Sequence, residues 1–241
     1  IDLAKKTGAK IVYGPTANTN FDIIEAVDQQ EFKVGDATIR VLHTPGHTLE
    51  SSTFLLIDEN GKDHGIVTGD TLFIGDVGRP DLAIKSDLTK EGLAAMLFDS
   101  LRNKIMPLND DLIVYPAHGA GSSCGKNMST ETTDTLGNQK ATNYALRADM
   151  TKAEFVAEVL DGMLPPPQYF PKNAMMNKSG YQEIDEVMSQ GNKAIPIFEF
   201  QELAVQENVL VLDVRTEQEF ASAHIPNSMF IGLNGSFALW V

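Results

Sequence analysis

Three short segments, far apart in the chain, carry the side chains best suited to bind a metal ion. They contain His47, Asp70 and His118, and they read Thr-Pro-Gly-His-Thr, Gly-Asp-Thr-Leu-Phe and Tyr-Pro-Ala-His-Gly. Two imidazoles and a carboxylate suit zinc or iron, and such a trio with open coordination positions is a common iron(II) arrangement. These residue types fit a metal centre assembled from sequence-distant parts. Spacing alone favours His47 as a loop histidine bonded to a backbone carbonyl, and Asp70 as the N-cap of a following helix is the alternative for that residue.

Each of these segments follows an apolar, β-type stretch that we expect to be the strand that positions it. The stretches are 39–42, 65–68 and 112–114. A strand that ends at Gly or Pro and continues into a polar side chain can aim that side chain into a cleft. We therefore expect the three side chains to meet at one edge of the fold, within about 6 Å of a common point, since metal–ligand bonds are about 2 Å long.

The remaining pattern predicts a mixed α/β chain in two parts. Gly8 closes a first helix, Gly35-Asp36 marks a hairpin, and Thr151 with Glu154 forms a capping box. The other predictions are strands at 53–57, 65–68 and 110–115, helices at 88–104, 130–146 (broken at Gly137), 152–163 and 181–188, an irregular stretch at 165–173, a linker at 191–196, a helix at 200–206 and a continuous strand at 209–214.

The three segments resemble the second, third and fourth metal motifs of the metallo-β-lactamase fold superfamily. The residues of these segments are most similar to those of its glyoxalase II and persulfide dioxygenase branch. Gly-Arg-Pro-Asp at 78–81 and Gly-Ser-Ser-Cys-Gly-Lys at 121–126 resemble the subgroup that is fused to rhodanese domains. The resemblance covers about residues 1–185 and implies an αββα sandwich, for which we predict a domain at 1–190.

The first motif of that superfamily, His-x-His-x-Asp-His, is absent from the sequence. We therefore expect the chain to be cut at its N-terminus, with at least one metal ligand in the preceding segment. The resemblance implies Fe²⁺ as the cofactor, with Zn²⁺ as the alternative. Because lost ligands remove most of the binding free energy, we expect well under one metal ion per chain after dialysis.

A second resemblance covers about residues 195–241 and carries the predicted domain at 191–241. The stretch Leu-Val-Leu-Asp-Val-Arg at 210–215, followed by His-Ile-Pro-Asn-Ser at 224–228, looks like the opening half of a rhodanese domain. The chain stops at Trp240-Val241, before the loop that carries the cysteine of active rhodaneses. We expect a partial α/β domain here and assign it no sulfurtransferase activity.

Several polar side chains near the three motifs allow two interpretations. Arg79 could hold a carboxylate of a glutathione-like substrate, or it could pair with Asp81 and fix the loop. Cys124 could be a thiol whose pKa Lys126 lowers, or an inert, partly buried thiol. We predict Arg79 and Lys126 as substrate-binding residues, and we assign no residue a catalytic role beyond metal binding.

The other histidines are predicted to serve structure. His43 lies four residues before His47 in a strand-and-turn segment, which is not the helical spacing of a zinc pair, so we interpret it as a supporting residue. His64 sits beside charged turn residues and is expected to be solvated. His224 belongs to the rhodanese-like motif and is expected to bond within its own domain.

Composition limits the partners. The formal charge of −14, from 19 basic and 33 acidic side chains, argues against a surface for nucleic acids or anionic membranes. No apolar run is long enough for a transmembrane helix. A single cysteine excludes an internal disulfide and favours a reducing, cytoplasmic compartment. An assembly of identical chains is left open.

Three functions follow from the resemblance. The first is a dioxygenase that uses O₂ to convert a low-molecular-weight thiol persulfide to sulfite and thiol, with His47 and Asp70 as iron ligands and His118 in the outer shell. The second is a thioester hydrolase of the glyoxalase II type, in which Asp70 bridges two metal ions and His118 binds one directly. The third is an inactive fragment or binding module. The small-molecule substrate in the first two is expected to be glutathione-derived.

Overall fold

The computed structural model divides the chain into two compact units, Ile1–Gly180 and Tyr181–Val241. It describes residues 1–82, 88–120, 122–126, 128–235 and 237. Gly121 of the predicted loop motif and the terminal Trp240-Val241 lie outside the described residues. The predicted domain boundary at 190/191 stays a prediction. No helix in the described part of the chain is both long and apolar enough to cross a membrane.

A six-stranded sheet with the order β3-β4-β5-β6-β7-β8 forms the frame of the first unit. Neighbouring strands are antiparallel except β6 and β7, which run parallel. Two further strands, β1 and β2, pair in parallel as a separate ribbon. The bounds are β1 Val12–Tyr13, β2 Ile24–Glu25, β3 Glu31–Val34, β4 Ala37–His43, β5 Ser52–Ile57, β6 Asp63–Gly69, β7 Ile113–Pro116 and β8 Asp134–Thr135.

Helices accompany the strands of the first unit, and the predicted end of the first helix and start of the fourth are confirmed. Gly8, in the left-handed region at φ 74°, ends the first helix, and Thr151 and Glu154 form the predicted capping box of the fourth. The helix predicted at 88–104 is α-helical to Ser100 and continues as a π-helical turn. The bounds are α1 Asp2–Thr7, α2 Lys90–Ser100, the π turn Leu101–Ile105, α3 Leu136–Thr142, a 3₁₀ turn Tyr144–Leu146, α4 Lys152–Leu160 and α5 Phe170–Ser179.

Two helix predictions are wrong. The predicted helix at 130–146 begins only at Leu136, because Thr135 accepts a hydrogen bond from the N–H of Asn138 and caps it there. Gly137 does not break this helix. A Cβ at that position would lie 2.9 Å from Asp110 Cβ, so glycine permits close packing.

The stretch predicted as irregular at 165–173 contains the start of α5. Pro171 lies in the first turn of this helix. A proline in that turn removes an N–H that has no helical partner anyway, and its fixed φ suits the helix. The prediction failed because it considered only that proline ends a helix, and not that proline is tolerated in the first turn of one.

The core of the first unit lies between one face of the sheet and the helices. Side chains on β5 alternate, so that Leu55 is 1% exposed on the inner face while its neighbours are half-buried on the other. Leu97 of α2 and Phe155 of α4 are fully buried against this face. This burial fixes the second half of α2 against the sheet.

The second unit is small and mixed α/β. Leu212 and Asp213 pair in parallel with Met229 and Phe230, so the predicted strand at 209–214 is much shorter than expected. The prediction that His224 bonds within its own domain is confirmed, since its Nδ1 lies 2.9 Å from the carbonyl oxygen of Phe220. The bounds are α6 Ile184–Gly191, α7 Ile197–Ala204, β9 Leu212–Asp213, α8 Glu217–Ser222 and β10 Met229–Phe230.

Candidate metal centre

The ends of three strands place the predicted ligands at one edge of the six-stranded sheet. β4 is antiparallel to β5 and β5 to β6, so β4, β6 and the parallel β7 all point the same way. The chain leaves these strands at His43, Gly69 and Pro116. A hydrogen bond of 3.1 Å from the Ala117 N–H to the Gly69 carbonyl joins two of the exits. His47, Asp70 and His118 therefore share this edge.

His47 is held in one orientation by a tight turn. Gly46 precedes it at φ 152°, and a Cβ there would lie 2.4 Å from Leu97 Cβ, so only glycine lets the turn rest on α2. The ring is 8% exposed, and its Nδ1 lies 2.9 Å from the Arg79 carbonyl oxygen. A carbonyl only accepts, so Nδ1 carries the proton and Nε2 presents its lone pair. Burial lowers the pKa of His47, which favours this neutral form.

Asp70 lies at the centre of the group, directly after Gly69 at φ 54°. Its Oδ2 is 3.8 Å from His47 Nε2, beyond hydrogen-bonding distance. Its Oδ1 is 3.1 Å from His118 Nε2, but this oxygen is buried and the contact lacks the geometry of a hydrogen bond. A buried carboxylate oxygen without a donor is costly, and a bound cation would remove that cost.

His118 is the most accessible of the three side chains. Its ring is 42% exposed and lies 6.0 Å, centroid to centroid, from the ring of Phe73. Sγ of Cys124 joins it, because single ligand atoms of Asp70, His118 and Cys124 all lie within 4.8 Å of one another. Two imidazoles, a carboxylate and a thiol are donors that zinc and iron accept, so the residues present fit a divalent transition metal.

Arg79 is fully engaged in fixing the loop. Its guanidinium binds both carboxylate oxygens of Asp81, at 2.6 and 2.8 Å, and the carbonyl oxygens of Ser123 and Leu164. Its side chain is 6% exposed, and its own carbonyl accepts the proton of His47. Of the two sequence interpretations, the structure favours the Arg79–Asp81 pair that positions the loop. Its substrate-binding role stays a prediction.

The loop at 122–126 departs from one expectation. Lys126 Nζ donates to the carbonyl oxygens of Glu158 and Asp161 at the end of α4, both at 2.7 Å. Of the two interpretations of Cys124, the structure favours the partly buried thiol over one whose pKa Lys126 lowers, because burial raises the pKa of Cys124 and the charge of Asp70 adds to the effect. With Nζ engaged at α4, the predicted contact of Lys126 with a substrate has no support in this geometry.

Two residues that position the site were missed. Asp76 is buried, accepts a 2.6 Å hydrogen bond from the Lys126 N–H and receives the hydroxyl of Tyr144 at 3.1 Å, so it anchors the loop at 122–126. Gly78 passes so close to the site that a Cβ would lie 1.9 Å from the Asp70 carbonyl oxygen. An Asp and a Gly just after the metal motif were the available signals, and only contacts distant in sequence give them meaning.

The two remaining histidines of this unit lie outside the group. His43 Nε2 is 2.8 Å from the Leu49 carbonyl oxygen, which fits its predicted supporting role. His64 is exposed on β6, as predicted.

Replacing Arg79 by Lys should weaken metal binding without removing a ligand. Lysine keeps the charge but cannot bind Asp81, Ser123 and Leu164 together, so the Arg79 carbonyl that orients His47 loses its anchor. We expect the affinity for Co²⁺ to fall by about 10–100-fold, as for other partners that orient ligands. A cobalt titration followed by absorbance measures this.

Arg147→Lys is a matched control. Arg147 forms a bidentate ion pair with Asp149, two positions further along the chain, as Arg79 does with Asp81, but this pair lies on the surface away from the site. Equal cobalt affinities in the two variants would contradict the positioning role of Arg79.

Known proteins are similar to this chain in sequence and in fold. Residues 199–239 match the family described as rhodanese-like domain. A crystal structure of a metallo-β-lactamase from Staphylococcus aureus is 30% identical with a TM-score of 0.77, and the match covers 98% of this chain and 66% of that chain. ETHE1 from Myxococcus xanthus is 26% identical with a TM-score of 0.58, over 73% of this chain and 68% of that chain.

Curated proteins match over shorter stretches. Hydroxyacylglutathione hydrolase GloC from Haemophilus influenzae is 35% identical over 94 residues, which are 39% of each protein. The chain is matched to 41% of the length of its mycobacterial relatives. Together with the sheet and its edge, these findings establish that the chain has the metallo-β-lactamase fold, with a rhodanese-like domain at its C-terminal end.

Proposed function

We propose that this protein is an iron-dependent persulfide dioxygenase. It would convert a thiol persulfide, O₂ and water to the thiol, sulfite and two protons. The observation that carries the proposal is the convergence of His47, Asp70 and His118 at one sheet edge, with a buried Asp70 oxygen that lacks a donor.

The rhodanese-like domain in the same chain favours sulfur chemistry at this site. A rhodanese-like domain follows the metal centre at residues 199–239, and both domains would handle a sulfane sulfur. The similarity to ETHE1 over 73% of the chain supports the same branch.

The residues of the chain would divide the work as follows. His47, neutral and fixed by the Arg79 carbonyl, and Asp70 would hold the iron, which when bound supplies the redox chemistry that O₂ requires. His118, half-exposed beside Asp70, would orient that carboxylate and face the substrate. The buried ion pair of Arg79 and Asp81 would keep the loop rigid while the substrate, a low-molecular-weight and glutathione-derived thiol persulfide, binds.

A glyoxalase II type hydrolase is the second candidate, and one observation favours it. The two oxygens of Asp70 face different histidines, Oδ2 toward His47 and Oδ1 toward His118, as a carboxylate that bridges two metal ions would. The similarity to GloC points the same way. In this case His118 would bind the second ion directly, and zinc would replace iron.

His118→Ala separates the two candidates. In a dioxygenase with His118 outside the iron shell, we expect the variant to keep its iron while persulfide-dependent O₂ uptake falls by about 10–100-fold. In a two-metal hydrolase, the variant should lose one metal ion and all thioester cleavage. Iron and zinc content, O₂ uptake with glutathione persulfide and cleavage of a glutathione thioester are measured together on one preparation.

His64→Ala, on the exposed outer part of β6, is the control and should change none of these readings. Thioester cleavage without O₂ uptake in the unchanged protein would overturn the dioxygenase in favour of the hydrolase. Absence of both activities in iron-loaded and zinc-loaded protein would leave the binding module.

A further inference from the structure

We propose that the thiolate of Cys124 is an additional protein ligand of the metal ion held by Asp70 and His118. This inference rests on the form of the proposed metal centre in which His118 binds an ion directly, as in the second candidate, and adds a sulfur donor to that ion. The donor set would then be a carboxylate oxygen, an imidazole nitrogen and a sulfur, with His47 on the far side of Asp70.

Distances between the donor atoms carry the inference. The ligand atoms of Asp70, His118 and Cys124 lie within 4.8 Å of one another. Metal bonds of about 2.0–2.3 Å to nitrogen, oxygen and sulfur allow donors around one ion to stand up to about 4.5 Å apart. Small side-chain rotations would therefore bring all three onto one ion.

The backbone around Cys124 is fixed by contacts that do not involve its side chain. Its carbonyl accepts the Arg79 N–H at 2.9 Å, and its N–H donates to Ser122 Oγ at 3.2 Å. Ser123 is held by the Arg79 guanidinium and Lys126 by the Asp76 carboxylate. The loop therefore presents the sulfur to the site in a prepared position, and four separate contacts maintain it there.

A second observation points to a ligand at this place. Asp70 Oδ1 is buried without a hydrogen-bond donor, and the buried His47 turns its Nε2 toward the same carboxylate without bonding it. A cation between Asp70, His118 and Cys124 would satisfy the carboxylate and hold the sulfur as a thiolate. A thiolate ligand favours zinc, iron and cobalt over magnesium and calcium, so it would also narrow the choice of metal.

Cobalt and thiol alkylation test this directly, because Cys124 is the only cysteine among the 241 residues. The full chain is stripped with chelator and titrated with Co²⁺ under anaerobic conditions. We expect a thiolate-to-cobalt charge-transfer band in the near ultraviolet, and a slower reaction of Cys124 with iodoacetamide once cobalt is bound. Cys124→Ser should lose the band and bind cobalt at least about 10-fold more weakly.

Ser123→Ala is the matched control, since it changes the neighbouring side chain and keeps the carbonyl that Arg79 binds. It should retain the band and the alkylation protection. Circular dichroism of each variant, with Cys124→Ala as a second replacement, separates loss of a ligand from loss of fold.

The outcomes are distinct. Cobalt binding with the same affinity and spectrum in Cys124→Ser would overturn the sulfur ligand and leave the metal centre standing. If the unchanged chain binds no cobalt at any concentration, both the metal centre and the sulfur ligand are wrong. Rapid alkylation at saturating cobalt would likewise reject the thiolate.

Discussion

We expect Asp70→Asn to lose nearly all metal binding while the protein stays folded. Both oxygens of this carboxylate face a histidine, and Oδ1 has no hydrogen-bond donor. A bound cation would therefore compensate the negative charge of Asp70. Asparagine keeps the shape and removes the charge that holds the ion. We expect cobalt affinity to fall by more than about 100-fold, beyond the effect of losing an orienting partner, and activity to fall by orders of magnitude in either candidate reaction.

Metal content by elemental analysis, cobalt titration and thermal unfolding measure this together. Asp63→Asn, at the opposite end of β6, is the control and should keep the metal affinity of the unchanged protein. A metal-replete Asp70→Asn protein with normal activity would show that the ion is held elsewhere.

Gly78→Ala should have the second largest effect, because the added methyl group would clash with Asp70 and His47. The new Cβ would lie 1.9 Å from the Asp70 carbonyl oxygen and 3.1 Å from His47 Nδ1, and neither can yield without moving the loop. Overpacking of a rigid site costs about 1–3 kcal/mol and occasionally more, and a contact this short favours the upper end. We therefore expect about 3 kcal/mol of destabilisation in denaturant unfolding, together with loss of metal binding.

Gly92→Ala is the control with the opposite expected sign. Gly92 lies in the first turn of α2, where a Cβ would meet nothing closer than 3.5 Å. Alanine at such a helical position should stabilise by about 0.5–1 kcal/mol, because it restricts the unfolded chain. A Gly78→Ala protein as stable as Gly92→Ala would refute the close approach at Asp70.

The sequence predicted the frame of the first unit well, since local signals decide it. Apolar alternation on β5, the Thr151 capping box and the stop at Gly8 each depend on residues within a few positions. The gathering of the metal motifs at one edge was also predicted, because each polar residue follows the end of an apolar strand. Whether the three side chains bind a metal ion stays a prediction.

Contacts between distant segments account for what the sequence did not reveal. Lys126 is close to Cys124 along the chain, yet its ammonium group lies on the carbonyls that end α4. Gly137 looks like a helix breaker in the sequence. The structure shows that glycine is present there because the backbone packs closely against Asp110. Pro171 lies in the first turn of a helix, where proline is tolerated, although the three prolines at 165–167 suggested an irregular stretch.

The parallel pairing of β6 with β7 has a consequence for how the protein folds. Asp70 and His118 are 48 positions apart (118 − 70), so their strands become neighbours only after a long loop closes, an entropically costly step that antiparallel hairpins avoid. A metal ion that needs both residues would bind only the finished native state. It should then slow unfolding and leave the refolding rate nearly unchanged. The metal supply would therefore set how long the folded protein lasts, and would have little effect on how fast it forms.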